Sequence, residues 1–146
     1  RMTGSFPHPF PLLSAEFKIL HLRAQKRRGL AHPYAITETG RDALIGVADI
    51  FRPNTDANWE IGYWIGRPFW GTGYVTEACT ALMAETDRCL DANFIDAGVF
   101  SDNPASARVL EKLGFIAHGD AEMYFSMARL AKAESLMFRR VRQEAS

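Results

Sequence analysis

Neither sign of charge prevails in this chain: 17 lysines and arginines face 17 aspartates and glutamates, for a formal net charge of zero. A domain dedicated to nucleic acid carries a basic excess to neutralise phosphates, so the balance argues against a nucleic-acid partner. Cysteine is scarce, with only Cys79 and Cys89, both on one predicted helix. That spacing suits neither a disulfide nor a common zinc pattern, so no metal is expected and a reducing cytoplasm is the default compartment. No apolar run reaches the ~20 residues of a membrane span and no signal-peptide core is present, so no membrane partner is expected. A Gly-Lys-Ser/Thr triplet after Gly73 is also missing, which excludes a P-loop.

What is present is enough for one domain over residues 1–146, long enough to bury a core. Its organising stretch runs from Trp59 to Ala78. Trp59 to Ile65 is rich in aromatic and β-branched residues and predicts a strand. Arg67-Pro68 stops it, Gly71 and Gly73 bracket Thr72, and a helical pattern follows with Val75, Ala78, Cys79, Leu82, Met83 and Leu90 as its apolar positions. A strand that passes through glycines into a helix N-terminus presents free N–H groups and a positive dipole end. Phosphate or pyrophosphate suits such a cradle.

The opening, with Pro7, Pro9 and Pro11, is loop composition. Ser14 can cap a helix from Ala15 to about Arg28, with Phe17, Ile19, Leu20 and Leu22 or Ala24 inward, a basic last turn, and Gly29 as its end. His32 to Thr37 and Ala43 to Phe51 read as strands joined by a turn at Thr39 to Asp42, and Gly46 marks a bulge or a close contact. Phe94 to Phe100 is a further strand. Reached through a helix, it should lie parallel to the strand at 59–65. Asp102 or Asn103 caps the next helix, Pro104 stands in its first turn and Gly114 closes it. Phe115 to His118 and Ser135 to Arg142 read as final strands, and 119–134 has no clear assignment.

The two strand-to-helix junctions, Trp59 to Ala78 and Asn103-Pro104-Ala105-Ser106-Ala107-Arg108-Val109-Leu110-Glu111-Lys112-Leu113-Gly114-Phe115, together resemble the acetyl-coenzyme-A-binding motifs of the GNAT superfamily of N-acetyltransferases. The branch most resembled is that of RimJ and RimL, which acetylate protein N-termini, and the likeness is clearest over residues 43 to 122. It implies an α+β fold: a mixed, mostly antiparallel central sheet flanked by helices, with a splayed parallel strand pair at the cofactor site. It also implies a strand and a helix upstream of the opening loop, so the domain is expected to be incomplete at its N-terminus.

The same resemblance assigns roles. Backbone at Tyr63, Trp64 and Ile65 would pair with the pantetheine arm. The N–H groups of Trp70, Gly71, Thr72, Gly73 and Tyr74, with the Thr76 hydroxyl, would hold the diphosphate of acetyl-coenzyme A, the co-substrate. Asn103, Ser106, Val109 and Lys112 match positions that touch pantetheine or the adenosine phosphate, Lys112 having a helix-surface charge as its alternative. A neutral amine would attack the thioester, its oxyanion meeting an N–H near Ile65. Glu60 is the candidate base, or else a structural hydrogen-bonding group. Many members place a tyrosine where this chain has Leu110, which cannot donate a proton. Ser106 is then the candidate donor to the departing sulfur, or else a first-turn helix hydrogen bond. Pro68 departs too, standing where glutamine or arginine is common.

The acceptor is expected to be a peptide N-terminus or a small-molecule amine: the resemblance lays the opening loop over its site, making Phe6, His8 and Phe10 candidate walls or else part of a proline-rich surface connection, and Phe51, Trp64, Met123 and Tyr124 are further candidates. Apolar residues between Met127 and Met137 are the candidate surface for a homodimer. Two rivals stand beside an amino-group acetyltransferase. A dinucleotide-binding fold would want glycine in place of Thr76 and an acidic residue ending the next strand. A non-catalytic acyl-coenzyme-A-binding module would keep the cradle and lack the acid, base or acceptor pocket.

Overall fold

Alternating apolar residues and short turns build the sheet of this protein, seen here in a computed structural model that describes residues 20–21, 23–120, 122–126 and 131–144. The strands are β1 (Ala31–Thr37), β2 (Leu44–Phe51), β3 (Glu60–Ile65), β4 (Phe94–Phe100), β5 (Ile116–Ala117), β6 (Glu122–Ser126) and β7 (Ala131–Val141). Two helices, α1 (Tyr74–Cys89) and α2 (Pro104–Lys112), follow β3 and β4. Strand order is β1-β2-β3-β4-β7-β5, with β6 also on β7. Every pairing is antiparallel except β3 with β4, as the helical crossover requires. The expected α+β architecture, mostly antiparallel with one parallel pair, is the one observed. Strand β6 fills part of the segment that sequence left unassigned.

Helix α1 buries Cys79, Leu82, Met83 and Thr86, three and four residues apart, against one face of the sheet. There they meet Ala48 and Ile50 of β2, Ile61 and Ile65 of β3, and Ile95, Ala97 and Val99 of β4. Leu110 of α2 and Phe115 complete this core, 1% and 2% exposed. Fully burying a side chain of that size contributes about 1.5–3 kcal/mol. Arg140 stands among these apolar groups because its charge is met on all sides: Nη1 and Nη2 donate to Asp87 of α1 at 2.9 and 2.8 Å, and Nε donates to the Leu113 carbonyl at 3.0 Å.

Gly46 proves to be a close contact. A Cβ there would run into the Trp64 carbonyl of the next strand, and the nearby register shift lies between Ile36 and Thr37. Residues 20–21 and 23–27 are helical, and Gly29 ends that stretch with φ +71. Leu20 is 60% exposed, against the expectation that it turns inward. The helix start at Ser14, Phe17, Ile19 and the side chain of Leu22 lie outside the described residues, as does the whole opening loop.

Candidate active site

Strands β3 and β4 share a single paired position, Glu60 with Asp96, reinforced by the Asp96 N–H donating to the Trp59 carbonyl at 2.9 Å. Beyond it the two strands part toward their carboxyl ends. The side of β3 from Tyr63 to Ile65 that would meet β4 therefore opens on a cleft of about 440 Å³ between the N-termini of α1 and α2. The splay expected of the parallel pair is present, and it follows from one hydrogen-bonded register position where β2 and β3 have six.

The two helix N-termini differ in a way that points to a ligand. Asn103 caps α2, its Oδ1 accepting from the Ser106 N–H at 3.3 Å. Helix α1 has Gly73 as its N-cap and no side-chain cap at all, so its first-turn N–H groups are left to whatever enters the cleft. Gly71 and Gly73 make this possible with φ +72 and +81, a backbone region costly to other L-residues. Thr72 is held by its hydroxyl donating to the Phe69 carbonyl. The Tyr74 phenol donates to Glu38 of the β1–β2 turn, at 3.1 Å. The Trp70 indole donates to the Ile65 carbonyl at 3.0 Å and fixes the turn against the end of β3.

Among the described residues none that lines the cleft is acidic, whereas Arg108 and Lys112, one helical turn apart on α2, both line it. With an uncapped helix N-terminus opposite, the cleft suits a polyanion. The phosphates of acetyl-coenzyme A are of the chemistry that such donors suit. The expected cofactor residues Tyr63, Ile65, Trp70 through Tyr74, Thr76, Asn103, Ser106, Val109 and Lys112 all line it. Trp64 does not. Arg108, which sequence reasoning passed over, was legible as the residue four before Lys112 on the same helical face.

Tyr63 brings more than its backbone. Its hydroxyl lies 3.0 Å from Ser106 Oγ and 3.1 Å from the Ser106 carbonyl. Burial pushes the Tyr63 phenol up to about 12, the bond to Ser106 working the other way. Leu110, where a tyrosine is common in the superfamily, is packed into the core and presents nothing to the cleft.

Residues of alternate parity on β3 face the other way. A Cβ on Gly62 would meet Asp49 Oδ1 and the Phe51 ring, and one on Gly98 would meet Ser135 Oγ and Met137 Sδ. Gly62, Gly98, Asp49 and Phe51 thus share the sheet face turned away from α1, and Glu60, Trp64 and Asp96 share it by register. At both glycines the place of a side chain is taken by neighbours, Asp49 and Phe51 against Gly62 and Ser135 and Met137 against Gly98. Arg139 holds Asp96 through two bonds, at 2.7 and 3.1 Å, while Asp49 and Glu60 are the other carboxylates of this face among the described residues of β2 to β4. Asp49 was missed because strand position alone does not say which carboxylate stands beside a missing side chain. Phe51 and Trp64 lie on this face and not in the cleft. Phe6, His8 and Phe10 lie outside the described residues, and so do the side chains of Met123 and Tyr124, whose backbone belongs to β6.

Comparison with known proteins agrees with this geometry. N-acetyltransferase p20 of Bacillus licheniformis is 34% identical over 94 residues, covering 62% of this chain and 52% of that protein. The chain spans about 34–52% of the length of the curated relatives it matches. Among solved structures, the RimL ribosomal-protein α-N-acetyltransferase in complex with coenzyme A superposes with a TM-score of 0.73 at 22% identity, over 86% of this chain and 70% of that one. A SpeG spermidine N-acetyltransferase chimera from Vibrio cholerae and hSSAT gives 0.73 at 15%, over 88% and 76%. At these identities the likeness is one of fold. Residues 1–116 match the family described as acetyltransferase (GNAT) domain, and the chain belongs to that family.

Proposed function

We propose that the chain moves an acetyl group from acetyl-coenzyme A to a primary amine, of a protein N-terminus or a small molecule, by direct attack of the neutral amine on the thioester. The observation that carries this reading is the glycine-capped, otherwise uncapped N-terminus of α1, facing a cleft lined by basic and no acidic described residues, beside the stretch of β3 that β4 leaves unpaired. N–H groups from Trp70 to Thr76 take the diphosphate, Arg108 and Lys112 the outer phosphate charge, and β3 around Tyr63 to Ile65 the amides of the pantetheine arm.

The amine arrives from the opposite sheet face, where Glu60 and Asp49 supply carboxylates to take up its proton. An N–H near Ile65 meets the oxyanion. Holding amine and thioester in attack geometry contributes on the order of 7 kcal/mol or more, so each chemical group needs to supply little. Ser106 donates toward the departing sulfur.

The acceptor is tested with a panel of N-terminal peptides and polyamines, read by mass spectrometry for acetylated product, beside calorimetry with coenzyme A. RimL is named for a ribosomal protein and SpeG for spermidine, so both amine classes belong in the panel. Acetylated product is expected from at least one. Coenzyme A binding with no product from any amine would make the chain an acyl-coenzyme-A-binding module, a reading that the buried Leu110 favours. Absence of binding would overturn the assignment.

A further inference from the structure

The Ser106 hydroxyl sits in the first turn of α2, where a serine rotor has backbone groups of its own helix as competing partners. In this fold it is engaged from outside the helix. Tyr63, 43 residues earlier and on the facing strand, brings its phenol oxygen 3.0 Å from Ser106 Oγ and 3.1 Å from the Ser106 carbonyl. Both residues line the cleft.

A phenol has one proton, so two arrangements satisfy these contacts. In one, Tyr63 donates to the Ser106 carbonyl and Ser106 donates to the phenol oxygen, spending its proton away from the ligand. In the other, Tyr63 donates to Ser106 Oγ, and the serine proton is free to point into the cleft. The second leaves no group orphaned, because the Ser106 carbonyl lies inside α2 and is the acceptor for the Leu110 N–H in the helical ladder. An anionic acceptor in the cleft selects the second arrangement, since a hydrogen bond to a charged atom is the stronger one.

We infer that Tyr63 is a positioning residue that sets the Ser106 hydroxyl as a donor toward the sulfur of the bound thioester. This rests on the acetyltransfer reading above. The amine lone pair forms the C–N bond, the C–S bond breaks with its electron pair passing to sulfur, and the proton shed by the amine nitrogen goes to the carboxylate of Glu60 or Asp49 and returns through water to the departed thiolate. Ser106 and Tyr63 keep their own protons throughout and supply hydrogen bonds. A phenol is protonated at neutral pH even at its ordinary value, so Tyr63 is in its donating form there.

The test compares parent, Tyr63→Phe, Ser106→Ala and the double variant in the intact protein, with thermal unfolding as the check on folding. Tyr63→Phe keeps the ring and is expected to leave coenzyme A affinity within about twofold while lowering kcat on the order of 10-fold, KM for acetyl-coenzyme A unchanged. The double variant is expected to be no slower than Ser106→Ala alone, because the phenol acts only through the serine. A readout free of turnover is the ultraviolet absorbance of the thiolate of bound coenzyme A followed against pH: both single variants should raise the pH at which the bound thiol ionises. Parent protein that fails to bind coenzyme A would sink the functional reading and this inference with it. Binding with an unmoved thiol titration in Tyr63→Phe, or losses from the two single variants that multiply fully in the double, would overturn the role of Tyr63 alone.

Discussion

Gly73 is a position where a side chain would act through backbone conformation and charge, not through a clash. Its φ of +81 places it where an L-residue costs about 1–2 kcal/mol, and it is the N-cap of the helix end that faces the cleft. Gly73→Asp adds to that strain a negative charge at the proposed diphosphate site, so acetyl-coenzyme A affinity should fall more than about 10-fold by calorimetry, with Gly73→Ala losing less. An unchanged affinity for the aspartate variant would remove the cradle from α1. On the other sheet face, Glu60→Gln should lower turnover on the order of 10²-fold with coenzyme A affinity intact, if Glu60 takes the amine proton. Asp49→Asn is its counterpart beside Gly62. The variant that abolishes the acidic limb of the pH–rate profile identifies the base, and loss of the limb in neither would assign the proton to water.

Among the elements, α1 is anchored at both ends for different reasons. Its N-terminus is held near β1 and β2 by the Tyr74 phenol donating to Glu38, and near its C-terminus Asp87 takes two bonds from Arg140 of β7. Both members of the second pair are largely shielded, Arg140 being 7% exposed. Removing one partner of a buried pair leaves the other charge uncompensated, so Asp87→Ala should destabilise by about 3–5 kcal/mol in urea unfolding. Asp87→Ala with Arg140→Met should recover part of the loss. A cost below about 1 kcal/mol for the single change would mean that the guanidinium is satisfied by solvent. The same link explains how a short strand-to-helix turn stays aimed at the cleft: the helix behind it is tied to the far side of the sheet.

For the molecule as a whole, alkaline pH threatens two groups, the buried Cys79 thiol and the partly buried Tyr63 phenol. Burial pushes the Cys79 thiol from its ordinary 9.0 to about 12, with the Asp49 charge adding to the effect, and the Tyr63 phenol from 10.0 to about 12. A folded pKa raised above the unfolded one gives stability that is whole below the unfolded value and is lost as pH climbs toward the folded one. The loss should therefore appear between about pH 9 and pH 12, with little change from pH 7 to 8 on account of these groups. Its size is roughly 1.4 kcal/mol for every pH step by which folding delays each ionisation. Urea midpoints across that range check it, and a flat profile up to about pH 11 would mean that both groups ionise without opening the fold. Among the described residues no helix is long and apolar enough to cross a membrane.

Local chemistry made much of this protein legible from its residues alone. Proline and glycine placement, with Asn103 as cap and Gly114 at φ +90, bounds α2, and apolar spacing names the buried face of α1, because these signals act within a turn or two of chain. The strand, two glycines and helix from Trp59 to Cys89 were legible for the same reason, being consecutive. Strand β6 was not, since its partner β7 supplies the pairing from later in the chain. Which face a side chain takes across strands was likewise beyond the sequence. Only the folded sheet puts Tyr63 against Ser106, turns Trp64 and Phe51 away from the cleft, sets Asp49 beside Gly62, and buries Arg140 on Asp87. Each of these is a contact between residues distant along the chain or a choice of sheet face, and register and packing, not local preference, decide both.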